Sequence, residues 1–219
     1  MVHLSLQKLP GAKSNSVKVL LFALLITLQN VASAETQGVK TILVLGDSLS
    51  AGYGIDAEKG WVNLMRHRLD NKPQAYEVVN ASISGETTAG GLRRLPQLLE
   101  KYQPQVVLLE LGGNDGLRGF PLSRMRSNLQ KMIELCQHQE ALPVLFGMQI
   151  PPNYGQRYSR QFAQTYPSLA ENYDVPLVPF FMDGVATNPA MMQGDGIHPN
   201  ESGQAPLLEN AWPAVMPLL

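Results

Sequence analysis

Short apolar runs alternate along the chain with stretches whose apolar positions recur every three or four residues. The short runs are Thr41–Leu45, Tyr76–Asn80, Gln105–Leu111, Pro143–Ile150 and Val175–Phe181. Their length, composition and flanking Gly, Asn and Pro predict five strands. Between them, Trp61, Leu64, Met65 and Leu69 fall on one helical face, and Leu92, Leu95 and Leu99 on another, although Gly90, Gly91 and Pro96 weaken the start of that second helix. Leu122, Met125, Leu129, Met132, Ile133 and Cys136 form the strongest stripe, and Tyr158, Phe162, Tyr166, Leu169 and Tyr173 form an aromatic one that reads as core packing. A Gly/Asn/Pro-rich loop runs from Met182 to about Gly203, and a short last helix is expected from Leu207 to Val215, limited by Pro213. The prolines of the fifth run place it at a sheet edge. Strict strand–helix alternation predicts a parallel sheet covered on both faces, and right-handed crossovers narrow this to a doubly wound, flavodoxin-like α/β fold. There is no internal repeat, low-complexity segment or interdomain linker.

The first 34 residues break the pattern. Lys8, Lys13 and Lys18 are their only formally charged side chains, followed by the apolar block Val19–Leu28 and the small-residue run Ala32-Ser33-Ala34. Basic, apolar, then small is the order of a secretory signal peptide, and ten apolar residues are too few to span a bilayer. The expected organisation is a leader over residues 1–34 and one domain over residues 35–219. With 44% hydrophobic and 16% charged residues, the 219-residue chain can fill a single core. The formal charge of −1 becomes −4 once the three leader lysines are removed. There is no basic field to attract nucleic acid. Cys136 is the only cysteine, so no intramolecular disulfide can form, and its place on an apolar stripe makes it a small buried hydrophobe.

In a parallel sheet all strands end on one edge, so candidate chemistry is sought just after each run. The five ends are Gly46-Asp47-Ser48, Ser82-Ile83-Ser84-Gly85, Gly112-Gly113-Asn114-Asp115, Ile150-Pro151-Pro152-Asn153 and, in the long loop, Asp195-Gly196-Ile197-His198. A serine hydroxyl needs a base to take its proton, and His198 could supply one. Asp195 could hold the other ring nitrogen and stabilise the imidazolium. The N–H groups of Ser48 and Gly85 and the side-chain amide of Asn114 could receive an oxyanion; losing one such donor typically costs about 2.7–4 kcal/mol at the transition state.

Each piece alone has a plainer reading. Gly46-Asp47-Ser48 reads as a turn with a helix cap, Asp195-x-x-His198 as a solvated Asx turn, and Gly112–Asp115 as a turn. His67 and His138 lie in polar helix settings and His3 in the leader, so a zinc cluster is hard to assemble around His198. Gly52-x-Gly54-x-x-Ala57 fits a dinucleotide pattern, but it starts too far past the strand, and Asn80 stands where an acid is expected. The α/β-hydrolase elbow fails because Ser50 occupies its second glycine position.

Together, the runs Gly46–Gly52, Asn80–Gly85, Leu109–Phe120 and Asp195–Asn200 resemble the SGNH, or GDSL-type, hydrolases, and within them the branch of bacterial multifunctional acyl-CoA thioesterases also known as protease I and lysophospholipase. The resemblance spans Thr41 to at least Asn200. The superfamily's four naming residues correspond to Ser48, Gly85, Asn114 and His198, and its Asp to Asp195. It implies a three-layer α/β/α sandwich with a five-stranded parallel sheet, a periplasmic or secreted monomer, and no cofactor or metal. It also implies hydrolysis of acyl thioesters, lysophospholipids and small esters through an acyl-serine intermediate. Partners would be small acyl substrates, with no nucleic acid and no stable membrane insertion after leader removal. Leu117, Met148, Ile150, Pro151 and Tyr154, which follow the third and fourth strands, are candidates for an acyl groove, or else ordinary core and loop residues. Export would separate the enzyme from cytosolic acyl-CoA, which favours lysophospholipids or other esters as natural substrates. A carbohydrate acetyl esterase of the same superfamily and a non-catalytic flavodoxin-like binding module are the competing readings.

Overall fold

The computed structural model describes residues 38–219, so the expected leader over residues 1–34 lies outside the described residues. Five strands form the centre: β1 (Lys40–Gly46), β2 (Tyr76–Asn80), β3 (Val106–Glu110), β4 (Leu142–Phe146) and β5 (Leu177–Val178). All pair in parallel, in the order β2-β1-β3-β4-β5. This is the doubly wound, flavodoxin-like order, which reverses direction between β1 and β3. Every residue of β3 is buried, as are six of the seven in β1, because helices cover both faces of the two central strands.

Among the described residues, seven α-helices connect and cover the strands: α1 (Ser48–Ala51), α2 (Trp61–Leu69), α3 (Thr88–Tyr102), α4 (Gly113–Leu117), α5 (Leu122–His138), α6 (Gln156–Tyr173) and α7 (Glu201–Val215). Helices α3, α5 and α6 pack side by side as one layer, and α2 packs with α7 as the other. Cys136 is buried on α5, and desolvation pushes its thiol up to about 12, which leaves it an inert core residue. Trp61, Phe146 and Phe181 form an aromatic cluster with ring centroids 5.0–5.7 Å apart.

The structure differs from the sequence pattern where local chemistry outweighs periodicity. β5 has two residues rather than seven, because Pro176 and Pro179 cannot donate to the ladder on either side of it. β4 stops at Phe146 because Gly147 passes so close to the Val178 and Pro179 carbonyls that no side chain would fit. Helix α3 begins at Thr88 despite Gly90 and Gly91: the Thr87 hydroxyl accepts from Gly90 N–H, and Gly91 lets the helix approach Leu45 and Leu111. Helix α7 begins six residues before Leu207, where the Asn200 side chain caps it by accepting from Ser202 N–H. The one-turn helices α1 and α4 are too short to show a period, and they carry Ser48 and Asn114.

Candidate active site

β1 delivers the chain to Gly46, where a Cβ would strike the carboxylate of Glu110 and the side chain of Ser50. Asp47 then caps α1 by accepting from Leu49 N–H (3.1 Å), which puts Ser48 in the first turn of a helix closed by Gly52 in the left-handed region. The second approach comes from the loop before α7. There the Asp195 carboxylate accepts from Ile197 N–H (2.9 Å) and His198 N–H (3.0 Å) through one oxygen and pairs with His198 Nδ1 (2.6 Å) through the other. A proton on Nδ1 given to Asp195 leaves Nε2 as an acceptor, and Nε2 lies 2.9 Å from Ser48 Oγ. The hydrogen bond from His198, reinforced by the two backbone donors, holds the Asp195 carboxyl down at about 2. Asp195 is therefore ionised across the whole neutral range.

The third and fourth pieces come from β2 and β3. Gly85 sits at φ +79°, a conformation that suits glycine, and its carbonyl accepts from Arg118 Nη2 (3.1 Å). Asn114 lies on α4 and gives one amide hydrogen to Asp47 Oδ2 (3.0 Å), which fixes the amide and leaves the second hydrogen free. The N–H groups of Ser48 and Gly85 donate to no protein acceptor among the described residues. α4 is anchored by Asp115, whose carboxylate accepts from Thr88 N–H (2.8 Å) and Thr88 Oγ1 (2.6 Å). Gly112, at φ +118°, leaves room for the Tyr166 hydroxyl, which donates to the Leu111 carbonyl (3.1 Å).

The five groove candidates are divided by the structure. Met148 and Ile150 are buried, and they pack behind α4 against the backbone of Gly113 and Gly116. They thereby support the element carrying Asn114, and a role for them in an acyl groove remains a proposal. Leu117 is half-buried, while Pro151 and Tyr154 are exposed. Position after a strand places a residue at the right edge but does not decide its burial.

Sequence reasoning missed a pair of carboxyls, Asp47 and Glu110, at the turn that carries Ser48. Glu110, at the end of β3, is wholly buried, and its Oε2 accepts from Ser50 Oγ (2.5 Å) and Asp47 N–H (3.2 Å). Trp61 Nε1 donates to the same Ser50 oxygen (3.2 Å), and Glu110 Oε1 has no hydrogen-bond partner among the described residues. Burial raises Glu110 well above the ordinary carboxylate range, and the charge of Asp47 pushes it further. Burial likewise lifts Asp47 to about 6, against the pull of Leu49 N–H and the Asn114 amide. The available signal was an acid inside the apolar run Gln105–Leu111. Also unforeseen is Tyr53, whose ring lies 4.5 Å from the His198 ring, centroid to centroid, and whose carbonyl accepts from Gln193 Nε2 (2.7 Å).

This arrangement can move a proton from a serine hydroxyl to an imidazole and receive negative charge on two main-chain donors and an amide. Known proteins share the framework. Esterase TesA of Pseudomonas aeruginosa is 48% identical over 189 residues, covering 86% of this chain and 94% of its own length. Thioesterase 1/protease 1/lysophospholipase L1 of Escherichia coli K12 is 46% identical over 184 residues, 84% of each chain. The crystal structure of TesA superposes with a TM-score of 0.80 at 49% identity, covering 82% of this chain and all of that one. The GDSL-like Lipase/Acylhydrolase family matches residues 44–205, and with that match and those identities the chain belongs to this family.

Proposed function

We propose that this protein is a serine hydrolase that cleaves acyl thioesters and carboxylic esters, including lysophospholipids and small esters, through an acyl-serine intermediate on Ser48. The observation that carries the reading is the continuous chain from Asp195 Oδ2 to His198 Nδ1 (2.6 Å) and from His198 Nε2 to Ser48 Oγ (2.9 Å). In the proposed cycle, His198 Nε2 takes the Ser48 proton as Oγ bonds to the acyl carbon. The carbonyl oxygen becomes an oxyanion held by Ser48 N–H, Gly85 N–H and the free amide hydrogen of Asn114. His198 returns the proton to the departing thiolate or alkoxide as the C–S or C–O bond breaks. Water then repeats the sequence: His198 takes its proton, hydroxide adds to the acyl carbon, and Ser48 leaves reprotonated with the free acid released. Asp195 remains a carboxylate throughout and stabilises the imidazolium.

The names of the relatives, esterase and thioesterase/lysophospholipase, support this substrate class. The basic-apolar-small order of residues 1–34 supports export, and we take the working form to be a periplasmic or secreted monomer of residues 35–219 acting on small acyl substrates. No helix among the described residues is long and apolar enough to cross a membrane. The test is a panel of acyl esters and thioesters from acetyl to long-chain, combined with fluorophosphonate labelling. We expect turnover across the panel and labelling of Ser48 that requires His198. Preference for acetylated sugars would favour the carbohydrate esterase reading, and absence of both turnover and labelling would favour a binding module.

A further inference from the structure

The exposed apolar side chains of this protein are unevenly distributed. Among the described residues, eight large hydrophobics are exposed. Three lie away from the reactive edge: Val39 just before β1, Leu142 at the start of β4, and Met216 after α7. The other five are Tyr53, Ile83, Phe120, Tyr154 and Ile197, each 39–52% exposed. They follow β1, β2, β3, β4 and β5 respectively, one per strand. Because the strands are all parallel, these five loops share the edge that carries Ser48. Single exposed hydrophobics are ordinary, but one on every loop around a reaction centre marks a recognition surface.

The loops are tied to one another. Gln193 Nε2 donates to the Tyr53 carbonyl, and the Tyr53 ring rests against His198, which joins the first loop to the fifth. Arg118 Nη2 donates to the Gly85 carbonyl, joining the third to the second. Tyr158 OH donates to the Phe120 carbonyl (2.9 Å), joining α6 to the third. These ties restrict the loops that carry the apolar groups, which lowers the ordering that docking requires.

Charge points to what meets these loops. The segment Gly116–Met125 around Phe120 carries Arg118 and Arg124, and Ile150–Gln161 around Tyr154 carries Arg157 and Arg160. All four are exposed, and neither segment contains an Asp or Glu. On the other flank, Asp56 and Glu58 are acidic, Glu86 is paired with Arg94, and Asp195 with His198. Apolar groups that need acyl chains, next to guanidinium groups that suit phosphate, match the surface of an assembled phospholipid.

We propose that the carboxyl edge of the sheet is a lipid-surface docking face, in which Tyr53, Ile83, Phe120, Tyr154 and Ile197 seat among acyl chains around Ser48 while the arginines beside Phe120 and Tyr154 meet anionic phosphate headgroups. The inference rests on the hydrolase reading in assigning the centre of the ring, but binding can be measured without turnover. Residues 38–219 hold the five-stranded sheet, the core cluster and the Ser48 site, so the chain from Glu35 is the protein to test. On a Ser48→Ala background, sedimentation with phosphatidylglycerol vesicles reads docking alone. Binding is expected, and is weaker with phosphatidylcholine vesicles or at high salt. Adding Ile83→Ser with Phe120→Ser should weaken it by about tenfold or more. Arg157→Ala should weaken it less, and Leu142→Ser on the opposite edge should leave it unchanged. With Ser48 restored, the Ile83→Ser, Phe120→Ser pair should turn over a soluble acetyl ester within about twofold of the parent, since both side chains are exposed and outside the proposed machinery.

Absence of vesicle binding, binding insensitive to the pair, or equal loss from Leu142→Ser would overturn the docking face. A parallel loss of acetyl-ester turnover would overturn it too, by making these residues part of the reaction pocket. Failure of the parent to hydrolyse any ester, with vesicle binding intact, would instead sink the hydrolase reading and leave the docking face standing.

Discussion

Ser48 stands between two groups of carboxyls that share a functional group and little else. In front of it, Asp195 is partly solvated, accepts three hydrogen bonds, and sits near 2. Behind it, Asp47 is buried and lifted to about 6, and Glu110, with one oxygen unpartnered among the described residues, is raised well above its ordinary range. Donors and water favour the anion, and burial favours the neutral acid. The difference assigns the proposed roles. Asp195, paired with His198 Nδ1 and held near 2, is the carboxyl suited to stay charged beside an imidazolium through the proposed reaction. Burial biases Glu110 toward its neutral form, and it anchors Ser50 and the backbone of Asp47.

The largest expected effect is on the front side. Ser48→Ala and His198→Ala should each lower ester turnover by about 10⁴-fold or more, with the second loss adding little in the double variant, because members of such a set act as a unit. Steady-state rates on one chromogenic ester check this. Asp195→Asn should follow, with a loss on the order of 10³–10⁴-fold and an unchanged fold, since the amide cannot hold the same imidazole tautomer.

The back side should respond in stability rather than chemistry. Glu110→Gln keeps the shape and the acceptor oxygen without a charge and should retain turnover within about tenfold. Glu110→Ala leaves Ser50 and Asp47 N–H without their acceptor and opens a void, and should lower unfolding free energy by about 2–5 kcal/mol in urea titrations. Equal activity losses in the two variants would break the distinction between the two sides.

The smallest effect is the pH dependence of unfolding. The folded-state value of Asp47 is above its unfolded value, so the stability it contributes is present below about pH 4 and lost as pH rises through about 6. Glu110 shifts in the same sense and extends that loss to higher pH. Asp195 runs the other way: its contribution is present above about pH 4 and lost as pH falls toward 2, and its exposure keeps it small. Urea midpoints across pH 4–8 should therefore fall with pH, and Asp47→Asn should flatten the part of that slope between pH 4 and 6.

The sequence showed the front side better than the back. The five strand positions and the residues after them could be read because burial on both faces leaves uninterrupted apolar runs, and because parallel strands send their ends to one edge. Ser48, Gly85, Asn114, Asp195 and His198 are singled out that way, and hydrogen bonds join Asp195, His198 and Ser48. The one-turn helices α1 and α4 were not, since four or five residues hold too little of a 3.6-residue period to detect. For Met148 and Ile150, groove and core could not be told apart, because chain order past β4 does not say which side chains turn back into the core. Glu110 was in plain view as an acid among leucines, but its partners, Ser50 and the Asp47 backbone, lie 60 and 63 positions away and meet it only through the β1–β3 pairing.

One measurement addresses the division between the two sides most directly: the pre-steady-state release of nitrophenolate from a nitrophenyl ester, which counts acyl-enzyme formation apart from its hydrolysis. The account predicts a burst stoichiometric with protein in the parent and in Glu110→Gln, and none in Ser48→Ala or His198→Ala. A full burst without His198, or its loss in Glu110→Gln with the fold intact, would contradict the proposal that the Asp195–His198 side activates Ser48 while the buried pair only holds it in place.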